Sequence, residues 1–72
     1  MHSQIDQIIE CLKDGKWRTI HEISEKTRLH EFKVKIAADF LADYSFLELD
    51  HRTNKARLSA AFLGFVKKVR GP

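Results

Sequence analysis

The segment from Glu25 to Lys35, EKTRLHEFKVK, joins a short amphipathic stretch to a longer one with almost no residues between them. Two helices connected this tightly must cross and share one core. The second then presents its opening turns, with Lys33 and Lys35, to solvent.

Length limits what can be built around that crossing. With 72 residues the chain makes one domain, and a domain of this size buries only about 60% of its unfolded surface. The lone cysteine, Cys11, rules out an intrachain disulfide and suggests a reducing, cytoplasmic setting. Cys11 reads as a filler on the first helix, since no low-pKa surroundings or catalytic partner lie near it in sequence. No apolar run approaches the roughly 20 residues that span a bilayer, and Met1-His2-Ser3-Gln4 lacks the regions of a signal peptide. A net charge of +3 and a pI of about 9.3 permit a nucleic-acid partner without requiring one.

Periodicity divides the rest. Ile5, Ile8, Ile9 and Leu12 recur at helical spacing, with Ser3 as cap and Asp14-Gly15 as stop, so a first helix is expected over 3–14. A short extended piece over 16–18 follows, its Trp17 expected to cover one end of the core rather than stack on a ligand. Thr19 to Glu22 is a capping box and opens a second helix over 19–26, with Ile20 and Ile23 inward. Leu29, in the turn, is the expected plug between the helices. A third helix over 30–44 carries Val34, Ala37, Ala38, Leu41 and Tyr44 on one face. After Ser45 the period changes to two, and residues 46–58 read as a β-hairpin. Its core face is expected to hold Leu47, Leu49, Ala56 and Leu58, while Glu48 and Asp50 face Lys55 and Arg57 across the strands. Ser59 caps a last helix over 59–69.

The fold class expected is therefore α+β, mostly α. The stretch Thr19 to Leu58, TIHEISEKTRLHEFKVKIAADFLADYSFLELDHRTNKARL, resembles the small winged helix-turn-helix DNA-binding regulators of archaea and bacteria. The likeness implies a three-helix core, a hairpin wing and a C-terminal helix. It also implies a third helix that enters the major groove and a wing that touches backbone or minor groove. The chain departs from the family pattern at Arg28, where Gly is usual, and at His30, where Ser or Thr usually caps the third helix.

On a helical wheel the core of the third helix centres near Ala37, Val34 and Leu41, leaving Phe32, Lys35, Ile36, Asp39 and Asp43 outward. Arg28, Lys33 and Lys35 suit phosphates, Glu31 can accept from a cytosine amine and Ile36 can pack on a thymine methyl. His30 begins the same turn. Asp39 and Asp43 repel a backbone, so only the N-terminal end points inward. Phe32 and Ile36 are left with three readings: folding back on the first helix or wing, meeting base methyls, or docking a protein. At the wing tip Arg52, Thr53, Asn54 and Lys55 suit phosphate or minor-groove contact, although Asn54 is also a turn former and Lys55 an ion-pair partner.

Lys67, Lys68 and Arg70 read as a solvated helix end. The apolar stripe of Phe62, Leu63, Phe65, Val66 and Val69 spans about 160°, wider than the ~100° of an ordinary surface helix, so a homodimer through the first and last helices is expected. An enzyme is not: His2, His21, His30 and His51 are scattered, no Gly-rich phosphate loop exists, and neither cofactor, metal nor small-molecule substrate is implied. The two function classes left are a double-stranded DNA-binding transcriptional regulator and a winged-helix protein-interaction module of a larger assembly.

Overall fold

Capping explains where each helix starts. In the computed structural model, which describes residues 3–70, the Ser3 hydroxyl accepts from the Asp6 N–H at 3.1 Å and opens α1, Gln4–Cys11. This helix is shorter than its hydrophobic repeat suggests. Leu12 stays fully buried, but its N–H is shared between the Ile8 and Ile9 carbonyls, a tightening that ends the helix. Gly15 follows at φ 77°, with the Leu63 side chain over it. The Asp14 carboxylate accepts from the Lys16 N–H and from Arg18, so residues 16 and 17 belong to the loop. Strand β1 is consequently Arg18–Thr19 rather than 16–18.

Thr19 closes the strand and starts α2, Ile20–Thr27, through a reciprocal capping box: Glu22 N–H to Thr19 Oγ1 at 3.0 Å, Thr19 N–H to Glu22 Oε1 at 2.8 Å. Arg28 ends the helix in the left-handed region, φ 61° and ψ 23°. Without a glycine the turn is held by hydroxyls. Thr27 Oγ1 donates to the Ile23 carbonyl at 2.7 Å, and Ser24 Oγ donates to the Leu29 carbonyl at 2.6 Å. Leu29, expected as the buried plug of the turn, is half-buried and packs against the core.

Helix α3, Glu31–Asp43, starts at His30 with no side-chain cap. It buries Val34, Ala38 and Leu41, while Ala37 is half-buried. The inward face is thus turned toward Ala38 from the Ala37 centre expected. Tyr44, expected inside, is 62% exposed because it lies one residue past the helix. Ser45 follows at φ 64° in a Schellman arrangement, its N–H bonded to the Ala42 carbonyl and that of Phe46 to the Leu41 carbonyl, each 2.9 Å.

Strands β2, Leu47–Asp50, and β3, Lys55–Leu58, form the hairpin in the register expected, Glu48 opposite Arg57 and Asp50 opposite Lys55. Leu47, Ala56 and Leu58 are buried and Leu49 half-buried, so period-two alternation sends one face to the core. β3 is central in a three-stranded antiparallel sheet of order β1-β3-β2, with Arg18 opposite Ala56. That pairing places Trp17 over Arg57 on the outer face. Trp17 is accordingly 37% exposed with the guanidinium 4.5 Å from its ring, and does not seal the core.

Ser59 caps α4, Ala60–Arg70, by accepting from the Phe62 N–H at 3.2 Å. Val66 joins the same core cluster as Ile8, Leu12, Ile23 and Val34. The described residues are α+β and mostly helical, four helices on a three-stranded antiparallel sheet, an order compatible with a small winged-helix arrangement. Among the described residues, no helix is long and apolar enough to cross a membrane.

Candidate nucleic-acid interface

Arg28 and His30 are exposed at either side of Leu29, and Glu31 and Lys33 are exposed on the first turn of α3. Their availability differs. Glu31 is held by His21 of α2, whose Nδ1 lies 2.9 Å from Glu31 Oε2 while its Nε2 lies 3.6 Å from Glu25. These carboxylates, the Glu31 hydrogen bond foremost, raise the His21 pKa above 6.5. Periodicity along one helix does not disclose a partner ten residues away across a turn. Lys35 is half-buried and 3.7 Å from Asp39. Arg28, Lys33 and Arg52 have no ion-pair partner among the described residues.

The wing tip is ordered from beneath. Asp50 Oδ1 accepts from the Arg52 and Thr53 N–H groups at 3.0 and 3.4 Å. Hydrogen bonds from Thr53 and then Arg52, with Lys55 nearby, hold this carboxyl below its ordinary pKa. Asn54 turns the chain back at φ 56°, and its carbonyl accepts from the Ile20 N–H at 2.9 Å, fastening the tip to the start of α2. Arg52, Thr53 and Asn54 are exposed. Lys55 is half-buried in register with Thr19, whose hydrogen bonds, followed by the charges of Arg18 and Lys55, hold the Glu22 carboxyl below its ordinary pKa. Arg57 is engaged further up the strand, its Nε and Nη2 both on Glu48 Oε1 at 3.0 and 2.8 Å.

The apolar part of the surface is larger than the sequence suggests. Phe32 is 68% exposed and Ile36 more than half, so Phe32 is not folded away against α1 or the wing. Phe40, one turn beyond Ile36, is exposed too. These three side chains, with Gln4, Ile5, Lys33 and Ala37, line an open hollow of about 510 Å³ between α1 and α3. Two lysines against Glu31, Asp39 and Asp43 leave α3 with a net charge of −1.

On α4 the wide stripe resolves within the monomer. Val66 is buried, and Phe62 and Leu63 pack half-buried against the core, which leaves Phe65 and Val69 as its exposed members. His2 lies outside the described residues, and among those described no group of three or more His, Cys, Asp or Glu could hold a metal ion. Burial raises the Cys11 thiol pKa, with Lys26 and Arg18 pulling against it, so the group is a poor nucleophile at neutral pH. No protein-family model, curated protein or solved structure matches the chain.

Proposed function

We propose that the chain is a winged helix-turn-helix domain that binds double-stranded DNA and serves transcriptional regulation by binding alone. The first turns of α3 approach the major groove while the tip between β2 and β3 lies on backbone or minor groove. One observation carries the reading: Arg28 in the turn, Lys33 on the first turn of α3 and Arg52 on the wing tip are all exposed, with no ion-pair partner among the described residues. Lys13, Arg18 and Arg57 are tied to carboxylates, whereas Lys16 in the loop after α1 and Lys67 and Lys68 on α4, equally without an ion-pair partner among the described residues, lie outside the turn and the wing tip. Cations with no internal partner are the ones free to displace counterions from phosphate.

The test is titration of a labelled duplex at several salt concentrations. Three phosphate contacts give a log–log slope near −3, and Arg28→Ala, Lys33→Ala or Arg52→Ala each weakens binding across sequences and reduces the slope by about 0.9. Absence of binding at low salt sinks the reading.

A second reading, a protein-docking module, is favoured by the exposed run of Phe32, Ile36 and Phe40 on a helix of net charge −1. It requires association that is insensitive to salt and abolished by Phe32→Ser or Ile36→Ser.

A further inference from the structure

A chain of aromatic rings crosses the surface where α3, the turn after it and α4 meet. Phe40 and Tyr44 have centroids 5.1 Å apart, Tyr44 and Phe46 6.2 Å, Phe46 and Phe62 4.6 Å, and Phe62 and Phe65 6.0 Å. Phe62 is half-buried and roots the row in the core. The other four are exposed, and Val69, one turn beyond Phe65, extends the row along α4. With about 150–250 Å² available per ring, their exposed parts amount to roughly 400 Å². Single apolar side chains on a surface need no explanation, whereas a contiguous patch of this size matches the largest that a typical monomer exposes, and such patches are often functional. It is large for a molecule whose whole accessible surface is 5082 Å².

The charges beside the row identify what covers it. Asp43 lies one turn from Phe40 and next to Tyr44, and Asp39 precedes Phe40. Lys67 and Lys68 lie between Phe65 and Val69 on α4. Asp43, Lys67 and Lys68 are exposed and have no ion-pair partner among the described residues. The row is therefore acidic at its α3 end and basic at its α4 end. A surface of that kind complements itself when turned end for end. A two-fold axis makes the exchange reciprocal, since residue i meets j and j meets i.

We infer that this ridge is the contact between two copies of the chain, with α4 of each copy lying over the C-terminal half of α3 of the other. The rings interleave at the centre, and Asp43 of one copy faces Lys68 of the other on both sides. Phosphate is a poor occupant of the same surface because Asp39 and Asp43 repel it. Tyr44 is 12 residues beyond Phe32, about 18 Å along a helix axis, so the dimer leaves the first turns of α3 open. The inference is independent of what those turns bind.

Sedimentation equilibrium of the full chain over a range of concentrations tests it. A reversible monomer–dimer equilibrium is expected. Tyr44→Ser combined with Phe65→Ser raises the dissociation constant at least tenfold, about 1.4 kcal/mol, with unchanged circular dichroism because both side chains are exposed. Asp43→Lys and Lys68→Glu singly weaken the dimer by juxtaposing like charges, and the double variant restores it. A chain that stays monomeric throughout overturns the proposal. So does a dimer indifferent to the Tyr44 and Phe65 changes, or a double charge variant as weak as the two single losses combined. Duplex titration of the same variants separates the two proposals, because loss of the dimer leaves the intrinsic affinity of each α3 N-terminus unchanged.

Discussion

His21 of α2 and Glu31 at the start of α3 meet at 2.9 Å, so the helices of the turn are joined by a titratable link as well as by packing. The pKa of His21 is raised by the Glu31 hydrogen bond and then by the charges of Glu25 and Glu31. A raised folded-state pKa contributes stability fully below the unfolded value and loses it as pH rises through the folded one. Melting temperature is therefore expected to fall slightly from pH about 6 to about 8. His21→Gln removes that slope. If Glu31 faces DNA, deprotonation of His21 also leaves its charge uncompensated, and duplex affinity falls over the same interval. A pH-independent difference between wild type and His21→Gln refutes the link.

Arg28 and Ser45 both hold positive φ, 61° and 64°, each at the end of a helix. Left-handed backbone costs most L residues about 1–2 kcal/mol and glycine little. Arg28→Gly and Ser45→Gly are each expected to stabilise the fold by about 1 kcal/mol, part of the gain being offset by the greater freedom of unfolded glycine. For a chain of this length that is roughly 4–8 °C in melting temperature. Only Arg28→Gly is expected to reduce duplex affinity. Equal affinities for the two variants show that Arg28 makes no phosphate contact.

Gly15 combines φ 77° with a side chain directly above it. A Cβ there falls 2.7 Å from Leu63 Cδ2. Gly15→Ala should destabilise by about 1–3 kcal/mol through overpacking and backbone strain together. Adding Leu63→Ala removes the clash but not the strain, so the double variant loses less than the sum of the singles. Additive losses in denaturant unfolding place the whole effect in the backbone.

Local signals in the chain are explicit and the structure follows them. Thr19 and Glu22 cap α2 reciprocally, and alternation set the hairpin register that pairs Glu48 with Arg57. What local patterns do not carry is the arrangement between elements. The helical repeat continues through Tyr44, yet the Schellman turn at Ser45 redirects the chain so that Leu47, not Tyr44, fills the next core position. His21 finds Glu31 only because α2 and α3 cross at a particular angle. The aromatic row is likewise assembled from α3, the turn and α4: local pattern puts Tyr44 on a core face and Phe62 and Phe65 in the α4 stripe, and gives no sign that Phe40 and Phe46 join them.

Trp17 and Arg57 are 40 positions apart and meet because β1 pairs with β3. The guanidinium, 4.5 Å from the ring centroid, is also fixed by Glu48, so indole, guanidinium and carboxylate run in sequence across the outer face of the sheet. A cation–π contact at an exposed site is worth about 0.5–1 kcal/mol, and an ion pair of this exposure about 0–1 kcal/mol. Arg57→Ala is thus expected to cost about 1 kcal/mol. Glu48→Gln should cost less, because the stack survives while the charge is lost. Arg57→Lys falls between them, since an ammonium keeps the charge but not the flat face that lies on the ring or the fork that grips Glu48. Trp17 is the only tryptophan, so its emission reports the contact directly. A red shift is expected in Arg57→Ala and little change in Glu48→Gln. Identical spectra in wild type and Arg57→Ala would show that the guanidinium does not shield the indole in solution.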